Sequence, residues 1–328
     1  MKGFSIGNIG IQDPVFLAPM SGISDLPFRR IVKRYGAGLV FSEMIASRAM
    51  IQHSRESLKM STSCDGEFPL AVQLAGCEPE VMAEAARMNA ERGADIIDIN
   101  FGCPVKKIVN KFSGSALMQD EVLATEIMAA TVRAVDVPVS VKMRLGWDEM
   151  NRNAPELARR AQDVGVKMIT VHGRTRNQMY KGAADWAAVR AVKEAVDIPV
   201  VVNGDIMGPE DARAALEASG ADGVMIGRGA QGRPWVLRDT IAHLKGEAIP
   251  VPPSRAELHA LIREHYDAIL SYYGTRSGVA LARKHLAWYI AGIPGAAAFR
   301  AEINRIADAD EVKAQIDAFF MGETALAA

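Results

Sequence analysis

Eight short apolar runs, separated by stretches of helical periodicity, constrain this chain more than any other feature. They are Val15–Ala18, Leu39–Phe41, Leu70–Leu74, Ile96–Ile99, Val139–Lys142, Met168–His172, Val200–Asn203 and Gly223–Ile226. None alternates apolar with polar residues, as expected of strands buried on both faces of a parallel sheet. Between them, Glu78 to Arg92 has Pro79 near its start and Gly93 just past its end, and Pro209 to Ser219 repeats the scheme with Gly220 as cap. "RGADIIDIN", "VGVKMITVHG" and "SGADGVMIG" share one form, a glycine after a helix, a polar residue or two, then a buried strand. Eight β/α units within roughly 230 residues fit a (β/α)8 barrel, whose usual length is about 250. A doubly wound sheet is the alternative that periodicity alone leaves open. Phe4 to Ile11, with Gly7-Asn8 between two apolar pairs, reads as a hairpin closing the barrel floor.

Pro250, Pro252 and Pro253 then break the pattern, and no convincing strand follows Ser254. Leu258, Leu261, Ile262, His265, Ile269 and Tyr272 recur at helical spacing, as do Val279, Ala282, Leu286, Tyr289 and Ile290, and then Val312, Ile316, Phe319 and Phe320. The expected organisation is an α/β (β/α)8 barrel over 1–249 and a small helical domain over 250–328.

Among the 328 residues, 38 Lys+Arg stand against 39 Asp+Glu, and 49% of residues are hydrophobic. This excludes disorder and an indiscriminate, strongly basic nucleic-acid binder, but not a local basic patch. The charge is segregated: Ser254 to Arg300 holds six Lys+Arg and three Asp+Glu, whereas Ala301 to Ala328 holds two and six. Three cysteines, none in a CxxC pair, make a disulfide framework, structural zinc or any other metal site unexpected. Met1 to Asp13 has no apolar core of signal-peptide length and no run approaches ~20 apolar residues, so a cytoplasmic, membrane-free protein is expected.

In a barrel, residues at the C-terminal ends of strands face the active site. Here they are Pro19-Met20, Glu43, Gln73, Asn100, Lys142 with Arg144, His172, Asn203 with Asp205, and Gly227 with Arg228. Singly each reads as a satisfied loop polar group; a polar residue at nearly every exit points to a cofactor-sized polar site. "VVNGDI" and "MIGRGAQGRPW" place Gly-rich turns after strands 7 and 8, where barrels bind phosphate, and Arg228 adds a charge-assisted donor. Gly227, Gly229 and Gly232 match the GxGxxG dinucleotide fingerprint, but the next helix leads to a Pro-rich linker rather than a second strand, so a single phosphate is the better reading. Lys142 needs an anionic or polarisable partner, which a reduced flavin or a neighbouring carboxylate would supply. Gln73 offers donor and acceptor to a ring edge. His172 could be a ligand, an acid or a cofactor donor. Cys103, in a Gly-Cys-Pro loop with Lys106, Lys107 and Lys111 close behind, reads as reactive, and with no partner for a nucleophile it suits an acid.

"LAPMSGISDLPFR", "FSEM", "AVQLAG", "DINFGCPVKK", "GSALM", "PVSVKMRLGW", "TVHGRTR", "VVNGDI", "MIGRGAQGRPW" and "ARKHLAWY" together resemble the tRNA-dihydrouridine synthases, closest to their bacterial B-type branch, over nearly the whole chain. The resemblance implies an FMN enzyme that reduces the C5=C6 bond of a uridine in the tRNA D-loop, with NADPH as electron donor, hydride passing from FMN N5 to C6 and a proton from Cys103 to C5. By motif, Pro19, Met20, Ser21, Gln73, Lys142, His172, Asn203, Gly204, Asp205, Gly227 and Arg228 would hold FMN. Asn100, Arg144 and Tyr180 would face the uracil. Folded RNA must splay that base out, which calls for phosphate contacts; Lys106, Lys107, Lys111, Arg174, Arg176, Lys181 and Arg233, and in the helical domain Arg276, Arg283 and Lys284, are the candidates. A monomer is the default. The rivals are a small-molecule FMN oxidoreductase of the dihydroorotate dehydrogenase or ene-reductase type, and a non-enzymatic RNA-binding barrel.

Overall fold

The computed structural model describes residues 2–321 and divides into two compact units, one of residues up to Gly229 together with Val236–Ala248, the other of Ala230–Trp235 with the chain from Ile249 onward. In the first unit a hairpin, β1 (Phe4–Ile6) and β2 (Ile9–Ile11), precedes the barrel strands. These are β3 (Val15–Leu17), β4 (Val40–Phe41), a short extra strand β5 (Ile45–Ala46), β6 (Leu70–Ala75), β7 (Ile96–Phe101), β8 (Val139–Arg144), β9 (Met168–His172), β10 (Val200–Asn203) and β11 (Gly223–Ile226). All pair in parallel in the order β3-β11-β10-β9-β8-β7-β6-β4, with β5 alongside β6. A parallel bridge between Phe16 and Leu39 links the two ends, leaving a nearly closed (β/α)8 barrel.

The eight apolar runs all became strands because helices cover one face and the barrel core the other, so neither face is free to be polar. Five ran further than expected or less far, β6 by the one residue Ala75. β7 reaches Phe101 and β8 reaches Arg144, carrying polar residues inside the strand, while Ala18 and Leu39 fall outside β3 and β4. The expected hairpin is present, and its Ile6, Ile9 and Ile11 pack in one cluster with Phe16, Leu39, Phe41, Ala71, Ile96, Met168, Val201 and Met225. Two residues on from Ala71, Ile96, Met168 and Val201, on the same side of the pleat, lie Gln73, Asp98, Thr170 and Asn203, and two on from Met225, just past β11, lies Gly227. The floor therefore dictates which residues stand at the mouth.

The second unit carries helices Arg255–Tyr273, Thr275–Tyr289, Ala296–Ile303 and Ala309–Met321. The first opens with a capping box, Ser254 accepting from the Glu257 amide and the Glu257 side chain accepting from the Ser254 amide. Ala296–Ile303 was not expected; it begins after Gly292 and Gly295, both at positive φ. Among the described residues no helix is long and apolar enough to cross a membrane.

Candidate active site

Register stacks the polar residues in levels. Gln73, Asp98 and Ser140 are neighbours across β6, β7 and β8; one step up, Asn100, Lys142 and Thr170 follow on β7, β8 and β9; above them, Arg144, His172 and Asn203 follow on β8, β9 and β10.

Cys103 leaves the barrel two residues after β7. Its main-chain N–H donates to Asn100 Oδ1 at 2.9 Å, and its carbonyl accepts from Ser115 Oγ at 2.9 Å. Gly114 closes behind it at φ +63; a Cβ there would fall 2.8 Å from the Cys103 carbonyl oxygen, so only glycine lets the loop fold back this tightly. Burial pushes the Cys103 thiol up, and the Val105 amide and the charges of Arg144 and Lys142 offset only part of that. The thiol is thus protonated at neutral pH.

Lys142 lies on the mouth side of β8, where burial brings its ammonium down to about 8 against the opposing pull of Asp98. No hydrogen bond or ion pair holds it among the described residues, so the paired-lysine alternative is not what this strand provides. His172 is driven well below the ordinary imidazole value, first by burial and then by the charges of Lys142, Arg144, Arg174 and Arg228. Its Nδ1 is buried without a hydrogen-bond partner. Two basic groups on adjacent strands, both lacking partners, fit a planar, electron-rich ring that accepts hydrogen bonds. Gln73 is tied at both ends, Nε2 to Asp98 at 2.7 Å and Oε1 to Asn100 Nδ2 at 2.7 Å, which leaves one amide hydrogen and one lone pair for a ligand.

In the turn after β10, Gly204 takes φ +114 and Asp205 φ +53. The Asp205 carboxylate accepts from Arg174 Nη1 at 3.0 Å, from Arg228 Nη2 at 2.8 Å and from the Ala184 amide at 2.8 Å. Burial pushes it up, but the Arg174 hydrogen bond and the Ala184 amide outweigh this and hold it below the ordinary value. Asp205 thus fixes the direction of the half-exposed Arg228 side chain. Arg174, expected among surface phosphate contacts, is instead only 1% exposed, bound to Asp205 and to the carbonyls of Lys181 and Gly182. The GxGxxG glycines have separate causes. A Cβ on Gly229 would meet the Ile206 carbonyl oxygen at 2.7 Å, one on Gly232 the Trp288 carbonyl oxygen at 2.3 Å, whereas one on Gly227 would find only ordinary contacts from 3.6 Å. Of the three, Gly227 alone would take a Cβ without displacing a neighbour. Asn203, with Nδ2 on the Met225 carbonyl at 2.8 Å, braces β10 against β11. Pro19 and Met20 follow β3, and Ser21 is exposed beside them.

Arg144 is 2% exposed; its Nε donates to the Gly102 carbonyl and its Nη1 to those of Thr175 and Met179. It ties the Cys103 loop to the loop after β9. The exposed Tyr180 ring lies 5.6 Å from the Arg144 guanidinium and 5.7 Å from that of Arg228. Lys106 and Lys107 are exposed on a short helix, Lys106–Val109, in the Cys103 loop. Arg283 and Lys284 are half-buried on Thr275–Tyr289, and Arg283 donates to the Ile306 carbonyl at 2.8 Å. Sequence reasoning missed Asp98, fully buried with its carboxyl raised to about 7 by burial; the only signal was an acid inside an apolar run. Among the described residues no group of three or more His, Cys, Asp or Glu could hold a metal ion.

Two solved structures share the fold: histamine dehydrogenase from Rhizobium sp. 4-9, with a TM-score of 0.56 and 14% identity over 81% of this chain, and 2-naphthoyl-CoA reductase in complex with 2-naphthoyl-CoA, with 0.58 and 12% over 75%. This chain spans about half of each, 50% and 52%. Sequence relatives are far closer. A protein of Rickettsia conorii named "Probable tRNA-dihydrouridine synthase" is 56% identical over 316 residues, 96% of both chains. The tRNA-dihydrouridine synthase B of Pseudomonas aeruginosa is 47% identical over 322 residues, 98% of this chain and 96% of its own. A family model described as dihydrouridine synthase matches residues 16–324. With a family match over nearly its whole length and relatives about half identical from end to end, the chain belongs to the dihydrouridine synthase family of oxidoreductases.

Proposed function

We propose that this chain is an FMN-dependent tRNA-dihydrouridine synthase that reduces a D-loop uridine at C5=C6 with electrons from NADPH, acting in the cytoplasm as a monomer. Family membership implies a flavin, and sets aside the non-enzymatic barrel. The observation that carries the reading is the mouth itself, where the unpartnered Lys142 ammonium and His172 Nδ1 stand near a thiol kept protonated by burial. Lys142, His172 and Gln73 would face the ring, and Asn203, Gly204, Gly227 and Arg228 the phosphate, with Asp205 setting the Arg228 guanidinium; Pro19, Met20 and Ser21 would flank it. When bound, the flavin supplies the hydride that uracil C6 receives.

Cys103 holds its proton at Sγ and delivers it to C5, a role open only to a group protonated at working pH. Asn100 and Arg144 hold the loop that presents this thiol, and Tyr180 offers an exposed ring against which a splayed base can stack. Lys106 and Lys107 would meet backbone phosphate, and Arg283 and Lys284 would add contacts from the helical unit. In the test, tRNA from a deletion strain is digested and its dihydrouridine measured. Loss of one dihydrouridine, restored by the wild-type chain and not by Cys103→Ala, is the expected result. A full complement of dihydrouridine in the deletion strain would overturn the substrate and favour a small-molecule oxidoreductase. The released cofactor should chromatograph as FMN.

A further inference from the structure

Asp98 is fully buried in the middle of β7, and no step above uses it. A carboxyl in such a place is tolerated only with hydrogen bonds around it. Ser140 Oγ donates to its Oδ1 at 2.6 Å and Gln73 Nε2 to its Oδ2 at 2.7 Å, both from the same level of the adjacent strands. Both of its oxygens stand as acceptors here. It therefore fixes which end of the Gln73 amide faces it, and Gln73 Oε1 is left to accept Asn100 Nδ2 at 2.7 Å. That in turn fixes the Asn100 amide, whose Oδ1 accepts the main-chain N–H of Gly102 at 3.1 Å and of Cys103 at 2.9 Å. The chain is thus pinned at both ends, by the acid on β7 and by the two main-chain N–H groups, which only donate.

We propose that Asp98 is a positioning residue, which through Gln73 and Asn100 anchors the barrel end of a hydrogen-bond chain that ends on the Gly102 and Cys103 amides and thereby seats the Cys103 thiol. This rests on the reading that Cys103 is the acid, but its test does not depend on turnover alone. The rate of iodoacetamide alkylation at Cys103 is followed on the purified, flavin-loaded full chain, with Cys64 and Cys77 resolved by peptide mass spectrometry as internal references. Asp98→Ala should change the Cys103 rate roughly three- to tenfold, the worth of an ordinary hydrogen bond, and leave the other two unchanged; kcat should fall while KM for tRNA holds. Asp98→Asn can still accept from Gln73 and can donate to Ser140 Oγ, so it should restore the Cys103 rate to within about twofold of wild type. An unaltered Cys103 rate in Asp98→Ala overturns the proposal. So does an Asp98→Asn chain as perturbed as Asp98→Ala, since the charge opposite Lys142 would then be the operative feature. Should Asp98→Ala not fold, Gln73→Leu cuts the chain one link further on, and an unaltered Cys103 rate there is equally fatal. Full synthase activity in Cys103→Ala would remove the acid assignment while leaving the alkylation results to stand or fall separately.

Discussion

At the residue scale, the decisive balance is on the Cys103 thiol. Burial raises it, and the cations that pull it back are Arg144 and Lys142 on the barrel, not the exposed Lys106 and Lys107. Cys103→Ala should keep its flavin and its reduction by NADPH yet lose at least about a hundredfold in dihydrouridine formation, the usual worth of a positioned acid; flavin content, bleaching rate and product yield check this. Because the thiol lies above its ordinary value, alkylation of Cys103 should be slow at neutral pH and rise only at a pH beyond that of a free thiol. Asp98 carries the opposite kind of titration. Its folded value, about 7, exceeds the 3.8 expected of an exposed carboxyl, so the native state holds the extra proton and stability falls as pH rises from about 4 to about 7. Asp98→Asn should therefore gain in thermal midpoint relative to wild type at pH 8 compared with pH 5. The strand-exit rule made Lys142, His172 and Asn203 legible from sequence. It did not reveal Asp98 or the internal binding of Arg174 and Arg144, because whether a charged side chain is exposed or folded back on carbonyls depends on loops distant in sequence.

At the scale of elements, the glycines after β11 separate packing from binding. Gly232 sits at φ +70 with no room for a Cβ against the Trp288 backbone, so Gly232→Ala should cost about 1 to 3 kcal/mol. Gly227→Ala meets only ordinary contacts and should melt like wild type while losing flavin affinity. Thermal unfolding alongside cofactor content distinguishes the two. Strands were legible because an uninterrupted apolar run has few other uses. Their ends were not, since β7 runs on through Asn100 and β8 through Arg144, polar residues that belong to the mouth. β5, two residues long, and the helix Ala296–Ile303, started by glycines, carry too little periodicity to read.

At the scale of the whole molecule, the segregated charge has a use that net charge hides. Within the helical unit, Arg263 on Arg255–Tyr273 pairs with Asp317 on the last helix, which also holds His259 at 2.7 Å, and Lys313 meets Asp267 at 2.6 Å. Acidic and basic stretches are thus partly spent on each other, and Arg283 is likewise held by the Ile306 carbonyl. Exposed Lys106 and Lys107 are the cleaner candidates for phosphate. Replacing both with alanine should weaken tRNA binding and flatten its salt dependence by about one unit per lysine, with flavin content unchanged. The sequence by itself determined the barrel, its hairpin floor, the helical segment after the prolines and the set of residues at the strand exits, because burial of strands on both faces and helical periodicity between them leave their mark on local composition. Only the tertiary structure decided which of those residues are free and which are bound. The pairing of Asp98 with Gln73 and Ser140, of Asp205 with Arg174 and Arg228, and of Arg144 with three carbonyls arises from register and loop closure between segments tens of residues apart, and no local pattern encodes that.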